Sequence, residues 1–198
     1  EDMVDFDPGI GVSSLTSAGH TDIFIAKFNS AGEFLWAKRI GGAASDFGYE
    51  IAVDASGNTY TTGIFNGTVD FDPGAETLNL ASVGSFDIFI MKLDTGGNFV
   101  WAENFGSTNQ DEGWAIALDS AGNVFATGYF QDTVDFDPSE ENIVEIASAG
   151  NTDIFLIGLD SNSGALRYIY TMGGMERDEG HDLVVEGNDL YLTGSFSG

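Results

Sequence analysis

The chain has 198 residues, 42% of them hydrophobic, and sets 32 acidic side chains against 6 basic ones for a net charge of −26. That length and apolar content suit a folded core, and the scattered cations (Lys27, Lys38, Arg39, Lys92, Arg167, Arg177) make nucleic acid and anionic membrane poor partners, because phosphate binding needs clustered Lys and Arg. There is no cysteine, which removes disulfides, thiolate metal sites and cysteine nucleophiles. No apolar run approaches the roughly 20 residues of a membrane-spanning helix.

Taken in chain order, the first motif is VDFDP at Val4, and it returns at Val69 and Val134, 65 residues on each time. Two further elements follow it: TDIFIAKF from Thr21, predicted as a strand (C), and EFLWAKRI from Glu33, predicted as another (D). Next come GYEIAVD from Gly48 (strand A) and NTYTTGIF from Asn58 (strand B), and then VDFDP opens the series again. Within these runs apolar residues alternate, as in Tyr49-Ile51-Val53, Trp114-Ile116-Leu118 and His181-Leu183-Val185, the period of a half-buried strand. No stretch has helical spacing. Loops such as Asp54-Ala-Ser-Gly57-Asn58 and Asp119-Ser-Ala-Gly122-Asn123 supply the positive φ that tight hairpins demand. The third pass shifts by two residues after Gly164 and recovers its phase at Gly187.

These observations predict an all-β fold of four-stranded antiparallel sheets in tandem with a 65-residue period, the blades of a β-propeller that forms part of a larger propeller or array. The expected division is a half blade over 1–45 (strands C and D), complete blades over 46–110 and 111–177, and a half blade over 178–198 (strands A and B). The period exceeds the roughly 40–50 residues of common propeller repeats, and the excess lies between strands B and C. Trp36 and Trp101, matched by Tyr168, are expected to fill the space between blades.

The pattern DIFIAK(F/L)N-x-x-G-x-x-x-WA-x-x-x-GG, followed by D-x-G-x-x-I-A-V-D-x-x-GN-x-Y-x-TG-x-F, resembles the SBBP family of bacterial β-propeller repeats. The resemblance covers nearly the whole chain and is looser in the last module, where Tyr168 replaces Trp and Glu186-Gly187-Asn188 replaces the longer hairpin. It implies a blade-forming repeat of secreted or surface proteins and no reaction. The chain begins at Glu1 without Met or a signal-like segment, as a processed or cropped piece would. Three modules are fewer than the four to eight blades of ordinary propellers, so two arrangements stand side by side: a window on a longer array, or chains joined head to tail through shared blades and open sheet edges.

In an extended segment residues two apart share a face, which pairs Asp5 with Asp7, Asp70 with Asp72 and Asp135 with Asp137, and turns Phe6, Phe71 and Phe136 toward the core. The paired carboxylates are candidate Ca²⁺ ligands, and Asp22, Asp87 and Asp153 are candidates to complete a shell of six to eight oxygens. The structural reading of the same residues is an Asp-Pro-Gly turn whose carboxylate accepts backbone N–H groups. Asp46, Asp111 and Asp178 read as strand-entry turns, His20 as a loop residue and His181 as a packing residue. No nucleophile, base and orienting acid come together, and no phosphate loop is present. The function expected is a non-enzymatic, extracellular or cell-surface bacterial module for adhesion or for binding a protein or glycan, with calcium stiffening an acidic scaffold. The alternatives are a structural subunit of an extracellular fibre or surface layer and, by fold analogy alone, a secreted glycan-active enzyme.

Overall fold

The computed structural model describes residues 3–139 and 142–198, so Glu1, at which the expected first half blade begins, lies outside the described residues. All regular elements are strands. Short ribbon strands β1 (Met3–Asp5) and β2 (Ser14–Thr16) precede the hairpin of β3 (Ile23–Phe28) and β4 (Phe34–Gly42). A four-stranded antiparallel sheet follows, made of β5 (Phe47–Val53), β6 (Thr59–Asp70), β7 (Asn79–Leu93) and β8 (Phe99–Phe105). A second comprises β9 (Glu112–Leu118), β10 (Val124–Phe130), β13 (Asp153–Leu159) and β14 (Leu166–Met172); between β10 and β13 lies the ribbon of β11 (Thr133–Asp135) and β12 (Glu145–Ala147). The chain closes on the hairpin of β15 (Glu179–Glu186) and β16 (Asp189–Ser195).

The hairpins form where the Asp-x-x-Gly-Asn loops stand. Asp54 Oδ1 accepts the backbone N–H groups of Ser56 and Asn58, Asn58 Nδ2 donates back to Asp54 Oδ2 at 2.7 Å, and Gly57 takes φ 85°. Asp94 with Asn98 and Asp119 with Asn123 repeat the arrangement. The loop residues thus satisfy their own backbone donors, and register follows from the turn.

Burial lies between sheets. One cluster joins Tyr60, Ile88, Ile90, Trp101 and Phe105 of the first four-stranded sheet to Ile116, Val124, Phe130, Phe155 and Ile157 of the second. A further cluster packs Ile23, Ile25 and Ile40 of β3 and β4 on Phe65, Phe89, Met91 and Leu93. A smaller one sets Ala115 and Phe125 against Leu183 of β15. Each sheet dries its faces by leaning on the next, the stacking of propeller blades.

The segment between strands B and C is more ordered than a simple connection. β6 and β7 run on past the blade as a ribbon, with Thr68 opposite Ala81, Val69 opposite Leu80 and Asp70 opposite Asn79. The same ribbon also pairs with the last strand of the preceding hairpin, Gly41 opposite Asp70 and Gly42 opposite Val69. In this module the extra length is therefore a hairpin tie to the neighbouring one, while the equivalent ribbons β1–β2 and β11–β12 stand as two-stranded sheets of their own.

Candidate functional site

The six aspartates of the VDFDP motif close the tips of these ribbons. Asp70 Oδ1 accepts the N–H of Asp72 at 3.1 Å and of Leu78 at 2.9 Å, while Asp72 Oδ1 accepts the N–H of Gly74 at 2.7 Å. Asp5 and Asp7 bind the N–H groups of Asp7, Ser13 and Gly9, and Asp135 and Asp137 bind those of Asp137, Val144 and Ser139. Phe71 and Phe136 are fully buried; Phe6 is half-buried and packs on Phe24 with ring centroids 4.9 Å apart. Asp22, Asp87 and Asp153 sit elsewhere, each binding an N–H four residues before it. Among the described residues no three His, Cys, Asp or Glu side chains gather around a point that could hold a metal ion. The motif itself supplies two carboxylates at each tip, fewer than the six to eight oxygens calcium takes.

Asp46, Asp111 and Asp178 do more than enter a strand. Asp46 Oδ2 accepts the N–H of Gly42 at 2.8 Å and Oδ1 that of Asn66 at 3.1 Å, while its own N–H donates to Thr21 O at 2.7 Å. Asp111 ties Ser107, Gln131 and Phe86 in the same way, and Asp178 ties Gly174, Ser197 and Thr152. One nearly inaccessible residue thus connects the previous module to the end of its own strand B in all three copies.

A second tie uses the aromatic of strand D. Trp36 Nε1 and Lys27 Nζ both donate to Thr95 O, at 3.2 and 2.9 Å, and Trp101 Nε1 and Lys92 Nζ both donate to Ser161 O, at 3.0 and 2.8 Å. In the third copy the matching lysine is Gly158, and Tyr168 lies against it.

The start of strand A carries a polar cluster that sequence reasoning missed. Glu112, nearly buried, accepts from Tyr129 Oη at 2.7 Å, from Trp114 Nε1 at 2.6 Å and from the Gln110 side-chain amide. Burial, reinforced by the Glu112 carboxylate, pushes the Tyr129 phenol up. In the next module Glu179 accepts from Arg177 Nε at 2.5 Å and lies 3.5 Å from His181 Nε2. His181 is not packed away as expected: 41% of its side chain is exposed, and its ring stacks on Trp114 at 4.9 Å and 29°. Ser195 Oγ lies 3.3 Å from the same imidazole nitrogen. His20 is exposed in its loop, as expected.

The signal available in the sequence was the contrast between copies. Asp46-Phe47-Gly48 becomes Asp111-Glu112-Gly113 and Asp178-Glu179-Gly180. A charge appears where an aromatic stood, beside two residues that do not change.

With this geometry in view, comparison with known proteins is informative. Residues 35–64 match the model of the SBBP β-propeller repeat. The chain is 25% identical over 187 residues to "Regulatory protein FlaEY" of Caulobacter vibrioides, an alignment covering 91% of this chain and 19% of that protein. It is 31% identical over 113 residues to "Uncharacterized WD repeat-containing protein L264" of Acanthamoeba polyphaga mimivirus, covering 50% of this chain and 8% of that protein. The chain therefore spans less than a fifth of either relative.

Proposed function

The chain carries the SBBP β-propeller repeat, and from that premise we propose that it is a non-enzymatic protein-interaction module whose recognition surface is the cluster at the start of strand A. One observation carries the reading. The frame is constant across the three copies, with Asp46, Asp111 and Asp178, Gly48, Gly113 and Gly180, and Gly63, Gly128 and Gly194 in equivalent places. The positions between them differ: Ser45, Gln110 and Arg177; Phe47, Glu112 and Glu179; Tyr49, Trp114 and His181; Ile64, Tyr129 and Ser195. A fixed scaffold with variation at adjoining positions is how a repeat fold fits a surface to a particular partner.

The partner class is a protein segment rich in Lys and Arg. A net charge of −26 draws such a segment in, and the Trp114–His181 stack offers an aromatic face to a cation. The family resemblance supports display outside a bacterial cell, in an adhesive role; proteolysis of intact cells is expected to release the module.

Calorimetric titration with a Lys/Arg-rich peptide tests the surface. Binding is expected to weaken with salt and to fall at least about fivefold in Trp114→Ala, in line with the loss of one cation–π contact. Equal binding by Trp114→Ala would place recognition elsewhere. A panel of neutral glycans run in parallel gauges whether sugars compete for the same aromatic face.

A further inference from the structure

A second set of acids recurs at the seams between modules. Asp22, Asp87 and Asp153 each accept one backbone N–H on Oδ2, from Ala18 at 2.8 Å, Val83 at 3.0 Å and Ala149 at 2.9 Å. In all three copies the other oxygen, Oδ1, is buried with no hydrogen-bond partner. At Asp87 an ionised carboxylate gives up its hydration for one backbone N–H on Oδ2 and the nearby Asn104 side chain, whereas a protonated one carries no charge to solvate.

The copies differ in what stands beside the acid. Arg39 Nη1 lies 2.7 Å from Asp22 Oδ2 and supplies a counter-charge. The matching residues of the next two copies are Asn104 and Thr171, both uncharged. Asp87 is fully buried, and so is its ionisable neighbour Asp111, with Asp132 beyond it in the turn after β10. Around Asp87, β6 brings Phe65 and Asn66, and β8 brings Asn104, whose side-chain amide favours the ionised form but is outweighed by burial. Among the described residues no Lys, Arg or His lies within 4.0 Å of either carboxylate. Gly106 closes the remaining side: a Cβ there would stand 2.4 Å from Asp87 Oδ1, so the backbone fits against the oxygen. Asp111 has both oxygens on backbone donors, Ser107 at 2.6 Å and Gln131 at 2.7 Å, which leaves Asp87 as the member with an oxygen to protonate.

From this arrangement we infer that Asp87 and Asp111 form a proton-binding site in the seam between the two four-stranded sheets, and that losing its proton puts two unpaired charges into the seam and loosens it. Burial, with the Asp111 charge adding to it, pushes the Asp87 carboxyl up to about 7, and burial pushes Asp111 up to about 6. Both folded values lie above the ordinary carboxylate value of 3.8. The stabilisation from holding the proton is therefore complete below about pH 4 and is lost as pH rises through neutrality.

The test combines a residue-resolved ¹³C titration of side-chain carboxyls with denaturant midpoints across pH 4–9. Glu103, which burial also pushes up to about 7, titrates in the same window, so the stability comparison is made in a Glu103→Gln background. The Asp87 carboxyl is expected to titrate near neutrality, the folding constant to fall by up to about tenfold per pH unit there, and Asp87→Asn to flatten that slope. An Asp87 carboxyl already ionised at pH 5, or a slope unchanged in Asp87→Asn, would overturn the assignment. If Asp87→Asn does not fold, the carbon titration of the unsubstituted side chain decides alone.

Discussion

At the scale of single residues, the contacts between modules are shared, and sharing sets what each substitution costs. Ser161 O receives both Trp101 Nε1 and Lys92 Nζ, so Trp101→Phe removes one donor and leaves the carbonyl satisfied. The expected loss is about 1 kcal/mol, the net value of one hydrogen bond. Trp101→Ala also empties a buried site between Tyr60 and the second sheet, with an expected loss of about 3–5 kcal/mol. Urea midpoints of the two variants check the contrast; equal losses would mean that the indole N–H, and not the ring, holds the seam. Asp94 behaves differently from the seam acids. Hydrogen bonds from the Asn98 side chain and backbone hold its carboxyl below the ordinary range, so its stabilisation is present above the ordinary value and is lost as pH falls through the depressed one. Asp94→Ala is accordingly expected to lower the urea midpoint at pH 6, by a margin that narrows as pH falls below the ordinary carboxylate value of 3.8.

At the scale of elements, the ribbon tips decide what VDFDP is for. Asp70 Oδ1 holds two backbone donors, those of Asp72 and Leu78. Asp70→Asn keeps an oxygen in that place, whereas Asp70→Ala orphans both donors; the expected costs are under about 1 kcal/mol and about 1–3 kcal/mol, read from thermal melts. Because the motif aspartates already accept backbone N–H groups at the tips, complete chelation of divalent ions is expected to move Tm by less than about 1 °C. A fall of several degrees would place calcium in the turns. The strands themselves were legible in the sequence, since alternation in Tyr49-Ile51-Val53 and the Gly57-Asn58 loop each report on neighbours close along the chain. The ribbon tie was not, because Gly41 and Gly42 meet Asp70 and Val69 through a pairing that no local pattern announces. The six motif aspartates are legible as pairs sharing a face, a property of extended chain, whereas the backbone N–H groups they accept, such as those of Leu78 and Val144, come from the far side of the turn and leave no local pattern. Glu112 and Glu179 went unread for the opposite reason: their meaning lies in contacts with Tyr129, Trp114 and Arg177, which converge only after strands from different parts of the chain are placed.

At the scale of the whole molecule, 32 acids and 6 bases must coexist in stacked sheets with few ion pairs. Several of the cations are already engaged at particular places: Arg39 on Asp22, Arg177 on Glu179, and Lys27 and Lys92 on backbone carbonyls of the next module. The remaining negative charge repels across the surface over distances set by the Debye length, about 30 Å at 0.01 M salt and about 3 Å at 1 M. Screening should therefore stabilise this protein, where it would weaken one held by exposed ion pairs. Raising sodium chloride from about 0.01 M to about 1 M is expected to increase Tm, by roughly 2–4 °C for each ~1 kcal/mol of repulsion removed in a chain of this length. The buried acids make a distinct prediction in the same experiment. Salt does not reach Asp87 and Asp111, which are fully inaccessible, so the decline in stability between mildly acid and neutral pH should persist at high salt while the overall Tm rises. A decline that vanished on adding salt would assign the pH dependence to the surface charge, and a Tm that fell with salt would show that the few exposed pairs outweigh the general repulsion.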